Sequence, residues 1–227
     1  MENGLSALLG ALSPGTAAGL LILTALLSYL LGCCNGAILV SRLLLGDDVR
    51  EHGSGNGGLT NFQRTYGGSR FTLLVIGVDV VKMLLSVWIS RGLFALVLPD
   101  AVPLFVTYWA GCFCILGHVF PCTLRFHGGK GILCGGVFTM MVDWRVGLVA
   151  WGLFLLAVVI TRWVSLGSVL AASSVAVTTI LFYPLPSLIL PGVMAAVLLD
   201  WKHRGNIQRL IHGEEPKLSL RRKKAEP

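Results

Sequence analysis

The chain alternates long apolar runs with short polar, Gly-rich stretches. No formal charge occurs from Asn3 to Ser41, and one membrane-length helix of about 20 residues fits within roughly 16–42. A polar stretch follows from Gly46 to Arg70. Residues 71–90 are apolar apart from Asp79 and Lys82, and 101–117 carry no charge. The stretch 117–131 is polar and Gly-rich. A short apolar segment, 131–142, precedes a longer one, 146–161. From Trp163 to Leu199 there is again no charge, and Pro184, Pro186 and Pro191 divide that run into helices near 163–183 and 187–202. From His203 the tail is polar and basic. The pattern predicts an all-α, polytopic membrane protein with about seven transmembrane helices, forming one domain over residues 1–227.

Charge sets the expected orientation. With seven spans, the regions 42–70 and 118–130, the turn at Arg162 and the tail all face one side. They hold fifteen of the 18 Lys and Arg residues. The cytoplasmic side collects such residues, so the N-terminus is expected outside and the C-terminus inside. Treating 131–142 as a re-entrant loop would reverse the parity and turn the basic tail outward. It is therefore counted as a short span. The run RRKK at 221–224 reads as a positive-inside and lipid-contact signal. The first basic residue is Arg42, so no signal peptide is expected.

Composition agrees. The 227 residues are 55% hydrophobic and 13% charged, against roughly 25% charged in soluble domains. A net charge of +7 suits anionic head groups or anionic substrates, and nucleic acid is not an expected partner. The cysteines at 33, 34, 112, 114, 122 and 134 lack zinc-site spacing and are expected as reduced, buried thiols.

The expected topology gathers three polar stretches on one side: 50–64, 117–131 and 203–215. Irregular backbone at membrane depth survives inside protein or beside a wet cavity, so a single hydrophilic pocket is expected. In the first stretch Gly55, Gly57 and Gly58 permit close approach, and Ser54, Asn56, Thr60, Asn61 and Arg64 supply donors and acceptors for phosphate or polyol. In the second, the amides of Gly128 and Gly129 with the Lys130 ammonium can cradle an oxyanion at a helix start. It lacks the frame of a nucleotide-binding phosphate loop, so ATP hydrolysis is not indicated. In the third, His203 and Asn206 share a face if the last helix continues through them. The histidine can exchange a proton and the asparagine can polarise a carbonyl or hydroxyl. His52, His118, His127 and His212 are equally available by sequence.

Asp79 and Lys82 stand at i,i+3 within an apolar helix and read as a structural ion pair facing the interior. Ser165 and Ser168 follow Arg162 at a turn and read either as a helix cap or as hydroxyls for a substrate phosphate.

These stretches resemble the three motifs of the bacterial acyl-phosphate:glycerol-3-phosphate acyltransferases, a seven-helix membrane family: GSGNGGLTNFQR at 53–64, GHVFPCTLRFHGGKG at 117–131 and HRGNIQRLIHGEE at 203–215. VDVVK at 78–82 and RWVSLGS at 162–168 match lesser signatures. Met83, His127, Gly57, Leu59 and the run Ile132-Leu133-Cys134 depart from that pattern. The resemblance implies transfer of a fatty acyl group from acyl phosphate to the 1-hydroxyl of glycerol 3-phosphate, giving lysophosphatidic acid and phosphate. Ser54, Arg64, Lys130 and Ser165 would bind phosphate groups, His203 and Asn206 would sit at the reacting centre, and Asn56, Thr60 and Asn61 would complete the wall. No metal or other cofactor is expected. The implied partners are glycerol 3-phosphate, acyl phosphate and membrane lipid. The expected setting is a monomer in the bacterial inner membrane, its site facing the cytoplasm.

A transporter of an anionic small molecule would also need a basic pocket. Its polar breaks belong near the bilayer midplane, whereas these stretches lie at one face.

Overall fold

The structure, a computed structural model, describes residues 4–68, 70–98 and 102–218. The basic run 221–224 lies outside the described residues. Among those described, all regular structure is helical: α1 (Leu5–Ala11), α2 (Pro14–Cys33), α3 (Gly36–Leu44), α4 (Leu59–Tyr66), α5 (Arg70–Ala95), α6 (Leu104–Val119), α7 (Ile132–Val142), α8 (Trp144–Thr161), α9 (Val164–Phe182), α10 (Pro186–Lys202) and α11 (Arg204–Ile211).

Five helices are long and apolar enough to cross a membrane: α2, α5, α6 with the turn after it, α8 and α9. The two others expected to cross are shorter, α7 with 11 residues and α10 with 17. α6 is the central post, with most of its length buried, while α2 and α8 lie at the rim. Their outward faces show Ile22, Leu26 and Leu30, and Leu148, Leu155 and Ile160, as lipid-facing helices do. α2 and α6 cross closely because glycine meets glycine. A Cβ on Gly32 would strike the Cys114 carbonyl, and one on Gly117 the Tyr29 carbonyl.

The single helix expected within 16–42 is in fact two. α2 begins on a Ser13 cap with Pro14 in its first turn, ends at Cys33, and the chain restarts as α3 behind an Asn35 cap. The buried pair of α5 satisfies the break. Lys82 Nζ donates to the Cys34 carbonyl at 2.9 Å, and the Gly36 amide donates to Asp79 Oδ1 at 3.2 Å. Lys82 and Asp79 are 2.7 Å apart and both buried. The pair thus faces the interior as expected, and it also holds two helix ends that lipid could not solvate.

α7 and α8 form a hairpin joined by the single residue Asp143. α7 is seven residues the shorter, which recesses its start by roughly 10 Å relative to the end of α8. Lys130 and Gly131 precede α7 and lie at the bottom of that recess. Of the six cysteines, all free, Cys34 and Cys122 are exposed rather than buried, because each stands where a helix has just ended.

Candidate functional site

The first polar stretch is folded by Asn61. Its Oδ1 accepts from the Ser54 amide at 2.9 Å, and its Nδ2 donates to the carbonyls of Val49 and His52 at 2.8 and 3.0 Å. Asn61 therefore shapes the loop while itself standing in a cavity wall, and Gly53 leaves room for its amide. The neighbouring side chains of Ser54, Asn56, Thr60 and Arg64 line the same cavity, of about 450 Å³.

The second stretch corrects the expected cradle. The amides of Gly128 and Gly129 donate to the carbonyls of Val119 and His118, at 3.3 and 3.1 Å, and neither glycine lines the cavity. Both are glycine because the loop presses on the end of α6: a Cβ on Gly128 would meet the His118 carbonyl, and one on Gly129 the His118 ring. The loop delivers Lys130, Gly131 and the start of α7 to the wall. A helix start there is a fit place for an anion.

In the third stretch the helix does not continue through His203. α10 ends at Lys202, and His203, its amide bonded to the Asp200 carbonyl, turns the chain into α11. The break still brings both expected residues to the cavity, with His203 and Asn206 buried. The ring nitrogen Nδ1 donates to the Leu199 carbonyl at 2.8 Å. That bond fixes the tautomer and leaves Nε2 as an acceptor. Burial pushes the His203 pKa down to about 4, so the ring is neutral at physiological pH.

Asn206 joins the second and third stretches. Its Oδ1 accepts from Lys130 Nζ, and its Nδ2 donates to Glu215 Oε1 at 2.8 Å. Arg209 Nε donates to the other carboxylate oxygen at 2.8 Å. Burial pushes Lys130 down to about 8, with Arg209, Arg64 and Lys202 adding to the effect and Glu215 opposing it. Burial also works against the Glu215 carboxylate, but the bonds from Asn206 and Arg209 outweigh it and hold its pKa below the usual value.

The segment after α11 straps this network down. Trp163 Nε1 donates to the Glu215 carbonyl at 3.1 Å, and the Leu218 amide donates to the Arg162 carbonyl at 2.7 Å. Ser165 and Ser168 do not cap α9, whose cap is Trp163 without a side-chain bond. Ser168 Oγ donates back to the Val164 carbonyl at 2.9 Å, while Ser165 is buried at the cavity wall beside the Glu215 carboxylate, which its hydroxyl helps to stabilise.

Glu215 and Arg209 were not assigned from sequence, although both lie inside the third stretch. The signal was a lone acidic pair, Glu214-Glu215, in a strongly basic segment. His118 and Asp79 also reach the wall. Lys82 Nζ donates to His118 Nδ1 at 2.7 Å, which puts the ring proton on Nε2, the side of the ring that faces Gly129. Asp79, His118 and Cys134 have metal-ligand spacing, and the Lys82 ammonium bridges the first two, where an ion would sit. Beside these polar groups the cavity is lined by apolar side chains, among them Ile132, Leu133, Trp151, Phe154, Val158 and Val164.

Residues 22–213 match the family model described as glycerol-3-phosphate acyltransferase. Curated proteins of that name are similar over nearly their whole length. One from Gloeobacter violaceus is 35% identical, covering 84% of this chain and 91% of the relative. One from Pseudomonas putida is 36% identical, covering 85% and 97%. Among solved structures, the glycerol 3-phosphate form of PlsY (YgiH), an integral membrane glycerol 3-phosphate acyltransferase, is similar with a TM-score of 0.77 and 28% identity, covering 88% of this chain and 96% of that one. Its lysophosphatidic acid form gives 0.74 and 26%, covering 88% and 95%.

Proposed function

The chain belongs to the glycerol-3-phosphate acyltransferase family and is a membrane acyltransferase; from that premise we propose that it moves a fatty acyl group from acyl phosphate to the 1-hydroxyl of glycerol 3-phosphate in the cavity described above. One observation carries the reading: Arg64, Lys130 and Arg209 line the same cavity as the apolar Ile132, Trp151, Phe154 and Val158. Two phosphate groups and a hydrocarbon chain need such a mixed site. No specific observation favours the transporter.

Acyl phosphate is a mixed anhydride and arrives activated. Arg64, Lys130, Ser54 and Ser165 hold the phosphate groups and offset their repulsion. His203 Nε2 accepts from the glycerol hydroxyl and aims its oxygen at the acyl carbon, with Asn206 fixed beside it. The new ester bond forms as the acyl–phosphate bond breaks, giving lysophosphatidic acid and inorganic phosphate. The proton goes to the departing phosphate, whose leaving oxygen gains negative charge and basicity as the anhydride bond breaks. The histidine then orients rather than deprotonates. Holding both reactants in line supplies much of the rate, since effective molarities can exceed ~10⁵ M.

The whole chain acts as one domain and as a monomer, with α7 and α10 as short spans. Its setting is a bacterial inner membrane, and the distribution of Lys and Arg supports an orientation with the N-terminus outside and the cavity facing the cytoplasm. Glycerol 3-phosphate then enters from the cytosol and the acyl donor from the inner leaflet. The test is a donor comparison with purified protein. Acyl phosphate should support lysophosphatidic acid formation with matching phosphate release, while acyl-CoA and acyl carrier protein should not. Turnover with acyl-CoA alone would overturn the donor assignment.

A further inference from the structure

We propose that Trp151 sets the length of acyl chain this enzyme accepts. The inference rests on the acyl-phosphate reading above and adds a specificity determinant to it. The large cavity does not end at its apolar side chains. A second, small cavity of about 30 Å³ lies beyond, and Ile132, Trp151 and Phe154 line both. A chain whose carbonyl sits at the polar groups and whose tail follows the apolar side chains therefore runs toward this second space.

Trp151 packs on Gly136, four residues into α7 from Ile132, which puts it roughly 6 Å along the helix from the end that carries Lys130. Beyond it the slot is lined by the small Gly135, Gly136, Ala150, Ala171 and Ala172 together with the larger Thr139, Val175 and Leu199. That width suits a polymethylene chain. The slot is also dry, because the Gly136 carbonyl accepts from both Thr139 Oγ1, at 2.8 Å, and Trp151 Nε1, at 3.1 Å. Both donors and both lone pairs are thus satisfied before any ligand arrives.

The same bond locks the indole across the route. Trp151 packs edge-on to Phe154, with centroids 5.9 Å apart, and lies against Gly136, where a Cβ would stand 2.6 Å from its Cζ2. A side chain held by a hydrogen bond, a ring and a glycine is a fixed stop. Its removal opens the slot, and any bulk added at Gly136 pushes the indole further in.

The two changes shift chain-length preference in opposite directions. In protein reconstituted into phosphatidylglycerol–phosphatidylcholine vesicles, kcat/KM is measured with hexanoyl and hexadecanoyl phosphate. Trp151→Ala should raise the hexadecanoyl-to-hexanoyl ratio by about tenfold, the discrimination one methylene commands in an apolar pocket. Gly136→Ala should lower it. KM for glycerol 3-phosphate should stay at the parent value in both, since neither residue touches the polar groups. Variants that fold and turn over hexanoyl phosphate but keep the parent ratio overturn the proposal. An unaltered protein inactive with every acyl phosphate overturns instead the reading on which it rests.

Discussion

Asn206 Nδ2 donates to Glu215 Oε1 at 2.8 Å on the wall of a cavity otherwise rich in cations. The carboxylate dictates which way the Asn206 amide faces, so that Oδ1 is presented to Lys130. Hydrogen bonds to charged groups contribute about 1.5–3 kcal/mol. Glu215→Ala is therefore expected to lower kcat/KM by roughly 10- to 100-fold, and Glu215→Gln, which keeps an acceptor for Asn206, by less. Steady-state assays of the two check this. Equal losses would show that acceptor geometry is not the role of Glu215.

Lys130 binds phosphate only as the ammonium. Its pKa in the empty cavity is about 8, so KM for glycerol 3-phosphate should rise as pH climbs through that value and the charge is lost. Lys130→Ala should raise KM strongly at neutral pH. Lys130→Arg keeps its charge to far higher pH and should flatten the rise. A pH series of KM for the three proteins decides; a parent KM that is flat across pH 8 removes Lys130 from the phosphate site.

His203 offers two outcomes. Should it orient the hydroxyl while phosphate takes the proton, His203→Gln, which retains an acceptor, keeps a substantial part of kcat and the shape of the pH–rate profile. Should the ring be the base, kcat falls by the 10²- to 10⁴-fold typical of losing one. The account expects the first outcome, because burial holds the ring near 4.

Asp79 and Lys82 are expected to act on stability. Removing one partner of a buried ion pair costs about 3–5 kcal/mol, and here each also satisfies a helix end. Asp79→Asn or Lys82→Met should lower the thermal unfolding midpoint in detergent markedly. The double change should fall short of the sum of the singles, because neither leaves a lone charge behind.

Much of this site is legible in the sequence because phosphate chemistry limits the residue types. Ser54, Asn56, Thr60, Asn61, Arg64, Lys130, Ser165, His203 and Asn206 all reach one cavity. Long apolar runs likewise reveal the spans, since lipid permits few alternatives. Where helices stop is harder to read. The break at Cys34–Asn35 depends on Asp79 and Lys82, over forty residues away, and the turn at His203 interrupts an unbroken helical pattern. Gly128 and Gly129 show the limit of motif reading: glycine marks close approach, but only coordinates reveal that the approach is to α6 rather than to a ligand. Glu215 escapes because a carboxylate in an anion site contradicts simple charge matching until Arg209 and Asn206 are seen beside it.

The most direct test of a single cavity built from three separate stretches is equilibrium binding of glycerol 3-phosphate to the purified protein. Arg64→Ala, Lys130→Ala and Asn206→Ala are compared singly and in pairs. The account predicts that each weakens binding by about tenfold or more, and that the pairs fall short of additivity, as residues sharing one ligand do. Affinity left at the parent value by all three changes would contradict it.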